Sequence, residues 1–128
     1  MKVYLDTSAA MKLVLDETET SALFDYLEQH SDAVPVSSIL LETELRRAAR
    51  RNLAVDDQVN SLLDLVNLVD APRAVFRQAA SLEPPALRSL DAIHLATALR
   101  EDVDVFVVYD RILQDAARHA GLSVEAPA

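Results

Sequence analysis

Short apolar runs alternate along the chain with longer stretches in which apolar residues recur every three or four positions. Runs of the first kind are typical of buried strands, and stretches of the second kind of amphipathic helices. The pattern predicts strands over residues 3–5, 34–37, 105–108 and 122–124. It predicts helices over residues 8–15, 20–30, 39–52, 56–68, 72–82, 90–100 and 111–120. Strands that alternate with helices indicate an α/β domain around a mostly parallel sheet.

Most predicted helices begin beside a residue that is favoured where a helix starts. The candidate N-caps are Asp6 with Thr7 and Ser8, Ser37 with Ser38, Asp56 or Asp57, Ser89, and Asp110. Pro72 suits the first position of its helix, and Gly121 suits the position that follows the last helix. Helix capping is therefore an explanation that competes with any functional role for these residues.

The composition is that of a globular domain, since 51% of the 128 residues are hydrophobic and 26% are charged. No repeat or long linker divides the chain, so we expect one domain over residues 1–128. The absence of cysteine excludes disulfides and thiolate metal sites, and is compatible with a reducing cytosol. The N-terminus lacks a signal-peptide pattern, and no apolar run approaches the roughly 20 residues of a membrane span. We expect a cytoplasmic protein with no membrane partner.

Glycine content and net charge bear on the class of ligand. Gly121 is the single glycine, which argues against the glycine-rich loops that bind ATP, GTP or NAD. The net charge of −9 has the wrong sign for a nucleic-acid binder. An acidic total is nevertheless compatible with a cation-binding carboxylate cluster and a local basic patch. RRAARR, at residues 46–51, holds four of the 12 basic residues.

Asp6 and Asp110 each follow a predicted parallel strand. In open α/β sheets, ligands bind at the carboxyl ends of the strands. If these two strands are neighbours, the two carboxylates converge there. Helix capping explains either aspartate alone, but two at equivalent strand ends favour a functional site.

Glu42 and Glu44 lie two positions apart on one predicted helix, so they face nearly opposite sides. Glu42 has Arg46 four positions later, which is the spacing of a surface ion pair. Glu44 has mostly apolar neighbours on its face, and a carboxylate there is costly unless it is paired or binds a metal. Glu44 is therefore the candidate functional acid.

Three further residues each have two interpretations. Asp91 lies in the first turn of its helix, where an acid favours the helix dipole, but also beside the apolar stripe. His94 is a candidate ligand or general base, although a partly buried, hydrogen-bonded helix residue is the commoner case. Asp115 has Arg111 four positions earlier as a surface partner, or it supplies an outer carboxylate to the site.

Several carboxylates in one cleft need a counter-charge, because like charges a few ångströms apart cannot all stay ionised. Mg²⁺ and Mn²⁺ prefer oxygen ligands and usually share their sites with substrate phosphates. Such ions activate water and neutralise a phosphodiester in transit. The hydroxyls of Thr7 and Ser8 can support a carboxylate or a metal-bound water. The acidic residues thus favour metal-dependent phosphodiester hydrolysis.

Four segments of the chain resemble the PIN-domain family, and within it the VapC-type toxins of toxin–antitoxin pairs. They are VYLDTSAAMKL, VSSILLETELRRAARR, LRSLDAIHLATAL and VVYDRILQDAARHAGLSV, in the family's order and over nearly the whole chain. The resemblance implies a three-layer α/β/α fold and an acidic site of Asp6, Glu44, Asp91 and Asp110. Glu44 takes the family's acidic position because it lies six residues after Ser38.

The resemblance implies an Mg²⁺- or Mn²⁺-dependent endoribonuclease that cleaves single-stranded or structured RNA with a metal-activated water. It also implies a homodimer that a cognate antitoxin holds inactive in a larger complex. One position departs from the family pattern. Val108 stands where a threonine or serine is frequent, two residues before Asp110.

Arg47 and Arg51 follow Glu44 at three and seven positions, on the same face of the helix. Arginines there can hold RNA phosphates beside an acidic site that would otherwise repel them. A solvated helix end, or a surface that contacts the antitoxin, explains them equally well.

Two other functions stay open at this point. A catalytically silent PIN-like module would only bind RNA or a partner, and the presence of all four acids argues against it. A phosphoaspartyl phosphatase would use Asp6 as its nucleophile. That chemistry usually needs a second acid two residues later, where Ser8 stands.

Overall fold

The computed structural model describes residues 1–54 and 56–128, and a five-stranded parallel sheet runs through this part of the chain. The strands are β1 (Lys2–Leu5), β2 (Val34–Ser38), β3 (Asn67–Val69), β4 (Val105–Val107) and β5 (Val124–Glu125). The helices are α1 (Thr7–Val14), α2 (Thr20–Gln29), α3 (Leu40–Arg51), α4 (Asp56–Leu65), α5 (Arg73–Ala80), α6 (Ser89–Arg100) and α7 (Arg111–His119). The predicted α/β class with a parallel sheet is confirmed.

Helices cover both faces of the sheet, which gives the three layers expected from the sequence. Successive side chains of a strand point to opposite faces. Val3 and Leu5 pack mainly with α1 to α4, whereas Tyr4 packs with α5 to α7. Phe106 and Val107 divide between the same two layers. Both faces are apolar because both are covered, as expected for a parallel sheet.

The strand order β3-β2-β1-β4-β5 places a reversal beside the first strand. The chain builds outward from β1 to β3 and then returns to β4, which pairs with the free side of β1. Leu5 lies opposite Val107 in this pair, so both strands end at the same level. Ligands bind in open parallel sheets at such a reversal, outside the carboxyl ends of the strands. The two strands that precede Asp6 and Asp110 are therefore neighbours, which is the condition that the sequence left open.

One predicted helix is too long and hides a strand. The helix predicted over residues 56–68 ends at Leu65, and Asn67–Val69 forms β3 at the edge of the sheet. The apolar spacing of LDLVNLV suits a helix and a short strand equally. Parallel pairing with β2, which places Leu68 opposite Ser37, decides for the strand.

The two aspartates at strand ends cap helices as predicted. Asp6 accepts a hydrogen bond from the Ser8 N–H at the start of α1. Asp110 accepts one from the Leu113 N–H at 2.9 Å at the start of α7. Capping and a place at the carboxyl ends of the strands therefore occur together.

None of the three predicted serines is the N-cap residue of its helix, since Ile39 stands there before α3 and Arg88 before α6. Ser37 lies in β2, where its hydroxyl donates to the carbonyl of Leu5 at 2.7 Å. Ser89 is the first residue of α6 rather than its cap. Ser38 does receive a hydrogen bond from the Leu40 N–H, at 3.2 Å. Strand pairing extends further towards α3 than the caps suggested.

The other helix ends agree with prediction to within one position, except that α5 ends at Ala80, two positions before the predicted end. Pro72 immediately precedes α5, and Asp56 and Asp57 lie inside the first turn of α4. Gly121 follows α7 with a φ of 97°, a left-handed conformation that glycine adopts readily. Within the described residues, no helix has the length and apolar character needed to cross a membrane.

Candidate active site

Asp6 stands at the carboxyl end of β1 and is only 3% exposed. Its Oδ2 accepts hydrogen bonds from the Ser8 N–H at 3.1 Å and the Ser8 hydroxyl at 2.7 Å. Its Oδ1 is buried and has no hydrogen-bond partner in the described part of the chain. A buried oxygen without a partner is costly, which marks Oδ1 as an atom that a ligand can satisfy.

Ser8 links the ends of the two central strands. Its hydroxyl donates to Asp6 and accepts from the backbone N–H of Tyr109 at 2.9 Å. Tyr109 directly precedes Asp110, so the same hydroxyl touches the segment that presents the second carboxylate. Ser8 therefore fixes the position of Asp6 relative to Asp110.

Glu44 enters the same region from the second turn of α3. Its Oε1 accepts a hydrogen bond from the Thr7 hydroxyl at 3.0 Å and lies 2.6 Å from His94 Nε2. The side chain of Glu44 is 21% exposed. That of Glu42 is 47% exposed and pairs with Arg46 at 3.3 Å. The faces predicted for the two glutamates are confirmed.

His94 is fully buried on α6 and bridges two side chains. Its Nδ1 lies 2.6 Å from Tyr4 Oη, and its Nε2 lies 2.6 Å from Glu44 Oε1. Burial disfavours the charged imidazole, but the hydrogen bond with Glu44 and the charge of Asp6 outweigh it, so the pKa of His94 is raised. The expected hydrogen-bonded helix histidine is confirmed, and it contacts a candidate site acid.

Asp91 lies in the first turn of α6 and is partly buried. Burial raises its pKa to about 6, and the charges of Asp6, Asp110 and Glu44 raise it as well, while His94 opposes the rise. Such charge effects weaken with distance, so Asp91 lies near enough to the other three acids for their charges to act on it. The arrangement favours a bound cation, because a cation relieves the repulsion.

Three acids use one carboxylate oxygen for hydrogen bonds within the protein. These oxygens are Oδ2 of Asp6, Oε1 of Glu44 and Oδ1 of Asp110. Each acid is thereby anchored to the fold by one oxygen, which leaves its second oxygen for a ligand. Hydrogen bonds to one oxygen of a carboxylate orient its other oxygen before any ligand binds.

The ligand atoms of these acids suit a hard divalent cation, although their side chains are not arranged at metal-binding geometry in the described residues. All four acids offer oxygen, which Mg²⁺ and Mn²⁺ prefer. Across residues 1–54 and 56–128, no three acidic or histidine side chains already stand together at metal-binding geometry.

The remaining predicted residues lie at different distances from this cleft. Thr7 contacts Glu44 directly. Arg47 and Arg51 are exposed on α3. Asp115 is 83% exposed, and its ion pair is with Arg118 at 3.6 Å, not with the expected Arg111. These contacts place Asp115 on the surface of α7.

Comparison with known proteins agrees with this architecture. Residues 3–119 match the sequence model of the PIN domain.

The chain belongs to the PIN-domain family.

Two relatives of this PIN domain come from Mycobacterium tuberculosis. The chain is 39% identical to Ribonuclease VapC35, with 98% of this chain and 96% of the relative covered. It is 38% identical to Ribonuclease VapC46, with 98% and 97% covered. The resemblance to VapC-type proteins is confirmed over nearly the whole chain.

Solved structures show the same fold at low sequence identity. VapC20 of Mycobacterium tuberculosis, a toxin that cleaves the sarcin–ricin loop, has a TM-score of 0.76 at 15% identity, covering 98% of this chain and 99% of its own. VapBC2 of Rickettsia felis, bound to a promoter DNA fragment, has a TM-score of 0.72 at 15% identity, covering 98% of both chains. The predicted three-layer PIN fold is confirmed.

Tyr4 was missed by the sequence analysis, and Val108 departs from the family pattern. Tyr4 lies inside the apolar run of β1, so the pattern indicated only a core residue. A buried tyrosine hydroxyl nevertheless needs a hydrogen-bond partner, so Tyr4 in a buried strand already indicated a polar contact in the core. Val108, at the position where the family often has a hydroxyl, is fully buried against the α5 to α7 layer. That position contributes to the core.

Proposed function

We propose that this PIN domain, over residues 1–128, is a divalent-metal-dependent endoribonuclease of the VapC type. The observation that carries the proposal is the place of Asp6 beside the reversal of the sheet, and its support is that the charges of Asp6, Asp110 and Glu44 add to burial in raising the pKa of Asp91. The unpartnered Oδ1 of Asp6 gives that cluster an atom that needs a ligand. Relatives named as ribonucleases, 38% and 39% identical over nearly their full length, support the reaction class.

Asp6, Glu44, Asp91 and Asp110 would hold Mg²⁺ or Mn²⁺, which supplies charge neutralisation at the phosphodiester and activates water. The protein's own contribution is orientation. Ser8 holds one oxygen of Asp6, the start of α7 holds one oxygen of Asp110, and Thr7 with His94 holds one oxygen of Glu44.

The substrate in this proposal is RNA, held by the basic end of α3. Arg46 is occupied by Glu42 and by Asn60, whose Oδ1 lies 2.9 Å from its guanidinium. Arg47 and Arg50 line a pocket of about 410 Å³ together with that pair. Exposed arginines that do not touch bases position the phosphate backbone without reading its sequence. Arg47 and Arg51 are therefore assigned to phosphate contacts.

The proposal includes protein partners. We infer a homodimer and a cognate antitoxin in the cytoplasm, because the chain resembles VapC-type proteins over nearly its whole length. The VapBC2 structure, solved with a fragment of promoter DNA, supports an antitoxin partner and a larger complex. Co-purification with the product of a neighbouring small gene is the direct measurement of that partner.

An assay of RNA cleavage tests the proposed reaction. We expect cleavage of single-stranded RNA with Mg²⁺ or Mn²⁺, none with EDTA, and a loss of at least about 100-fold in Asp91→Asn, since a site ligand is removed. Asp115→Asn is the matched control, because that carboxylate pairs only with Arg118 on the surface and should keep full activity. Full activity of Asp91→Asn, or activity in EDTA, would contradict the proposal.

Assays on the same protein also distinguish the two alternative functions, a silent binding module and a phosphoaspartyl phosphatase. A silent binding module would bind RNA without cleaving it under any metal condition. A phosphoaspartyl phosphatase would trap a covalent phosphate on Asp6. The structure disfavours the second, because the hydroxyl of Ser8 is already engaged with Asp6 and the Tyr109 N–H and no acid stands there.

A further inference from the structure

A buried chain of hydrogen bonds runs from the backbone of β2 to Glu44. The Ser38 N–H donates to Tyr4 Oη at 3.0 Å, and Tyr4 Oη lies 2.6 Å from His94 Nδ1. His94 Nε2 in turn lies 2.6 Å from Glu44 Oε1. Tyr4 and His94 are both 0% exposed. The chain therefore joins β2, β1, α6 and α3 through the core, and it reaches solvent only at its Glu44 end, where the side chain is 21% exposed.

Fold stability alone gives little reason for a tyrosine and a histidine at these positions. The Tyr4 ring packs edge-on against Phe106, with ring centroids 5.1 Å apart, in an otherwise apolar layer. Buried polar groups carry a desolvation penalty that apolar side chains of similar size avoid. The result of this chain of hydrogen bonds is that His94 Nε2 donates to one oxygen of Glu44.

Nε2 carries a proton and donates to Glu44 in the charged imidazole, and in the neutral imidazole the donors and acceptors match in one way. Glu44 Oε1 and the Thr7 hydroxyl oxygen lie 2.6 Å and 3.2 Å from Nε2 and both can accept from it, so Nδ1 is the nitrogen that accepts from the Tyr4 hydroxyl. The proton on the ring then resides on Nε2, which donates to Glu44. Because the imidazole is planar and rigid, fixing Nδ1 also fixes the direction of the Nε2–H bond.

We propose that His94, held by Tyr4, is a positioning residue that orients the carboxylate of Glu44 towards the other three acids. The inference rests on the proposed function, because it assigns Glu44 to the reacting site. Thr7 donates to the same Oε1 from α1 at 3.0 Å. Two donors from different elements hold Oε1 and set the rotation of the carboxylate, so that Oε2 is the oxygen left for a ligand.

Substitutions of His94 show whether its hydrogen-bond donor matters for activity, or only the volume of its side chain. His94→Leu removes the donor, and we expect kcat to fall by about 10- to 100-fold with KM for RNA nearly unchanged, the range typical of residues that orient metal ligands. His94→Gln places an amide N–H near the position of Nε2, and we expect it to recover much of the loss. Tyr4→Phe removes one hydroxyl, keeps the ring, and should give an intermediate loss.

A double-substitution cycle distinguishes positioning from general structural support. If His94 acts through Glu44, His94→Leu causes no further loss of kcat when Glu44→Gln is already present. If it merely supports the fold, the two losses multiply, and that result overturns the proposal. Equal activity of His94→Leu and the wild type also overturns it. Should His94→Leu fail to fold, the cycle is run with Tyr4→Phe, which leaves the packing in place.

Nuclear magnetic resonance of the metal-free protein reads the contact without any RNA. We expect a downfield imidazole N–H proton that is absent in His94→Gln and shifts in Glu44→Gln. If the wild type is active but the imidazole N–H resonance does not shift in Glu44→Gln, the positioning role is overturned. An inactive wild type contradicts the proposed function, and the catalytic part of this inference with it, while a responsive resonance still shows that His94 holds Glu44.

Discussion

Replacing Asp91 by asparagine tests the carboxylate cluster through stability, before any substrate is known. Asparagine has nearly the same shape as aspartate but no charge. In the wild type, burial and the charges of Asp6, Asp110 and Glu44 raise the pKa of Asp91 from 3.8 to about 6. The ionised side chain is therefore less stable in the folded protein than in the unfolded chain, and the substitution removes that penalty.

The size of the penalty follows from the change in pKa of Asp91. Each pKa unit corresponds to about 1.4 kcal/mol, so a rise from 3.8 to about 6 amounts to about 3 kcal/mol in full. Solvent screens a partly exposed carboxylate, which lowers the expected value to about 1–2 kcal/mol. The penalty is complete above pH 6, because there the folded state must lose a proton that it holds more tightly than the unfolded chain does.

Urea unfolding followed by circular dichroism, in EDTA, measures this difference. We expect Asp91→Asn to be more stable than the wild type by about 1–2 kcal/mol at pH 7.5, and by roughly a third of that at pH 4.5, where the folded wild type has taken up the proton. Added Mg²⁺ should stabilise the wild type more than Asp91→Asn. Asp115→Asn, whose carboxylate is exposed, should match the wild type at both pH values.

Two results would refute this reasoning. One is equal stability of Asp91→Asn and the wild type at pH 7.5. The other is an advantage of Asp91→Asn that is unchanged at pH 4.5. Either would show that the folded protein does not disfavour the ionised form of Asp91, which contradicts the combined effect of burial and of the neighbouring carboxylates.

Two further substitutions test the supports of the site. Ser8→Ala leaves Asp6 Oδ2 and the Tyr109 N–H without their shared partner, so we expect a loss of about 1–2 kcal/mol in thermal unfolding and a fall in kcat. An unchanged kcat would contradict its role, and Ser21→Ala, on the surface of α2, is the control. Arg47→Ala should weaken RNA binding several-fold and reduce the salt dependence of binding by about one ion, as for a phosphate contact. Arg118→Ala, at the end of α7, should change neither quantity, and equal effects of the two would contradict the assignment.

Most of the fold could be predicted because its elements carry strong local patterns. The runs that became β1 and β4 are short and apolar, and caps or glycine mark the ends of α1 and α7. β3 could not be predicted, since three residues such as NLV form a strand only because β2 offers an edge beside them. The same pairing explains why Ser37 serves the sheet instead of capping α3.

The candidate acids could be predicted from simple geometric rules. Asp6 and Asp110 follow from the rule that ligands bind at the carboxyl ends of parallel strands. Glu44 follows from its helical face. The bond between Tyr4 and His94 could not be predicted, because it joins residues 90 positions apart, and each alone has an ordinary place in the core. Only the packing of α6 on the sheet brings them into contact.

Calorimetric titration with Mn²⁺ tests the central claim, that these carboxylates form a cation site, most directly. The wild type, free of antitoxin and EDTA at pH 7.5, should bind Mn²⁺. Asp6→Asn should lose most of that binding, because it changes the carboxylate whose buried Oδ1 has no partner among residues 1–54 and 56–128, and Asp115→Asn should retain it. Absence of binding to the wild type, or equal binding to Asp6→Asn, would contradict the claim.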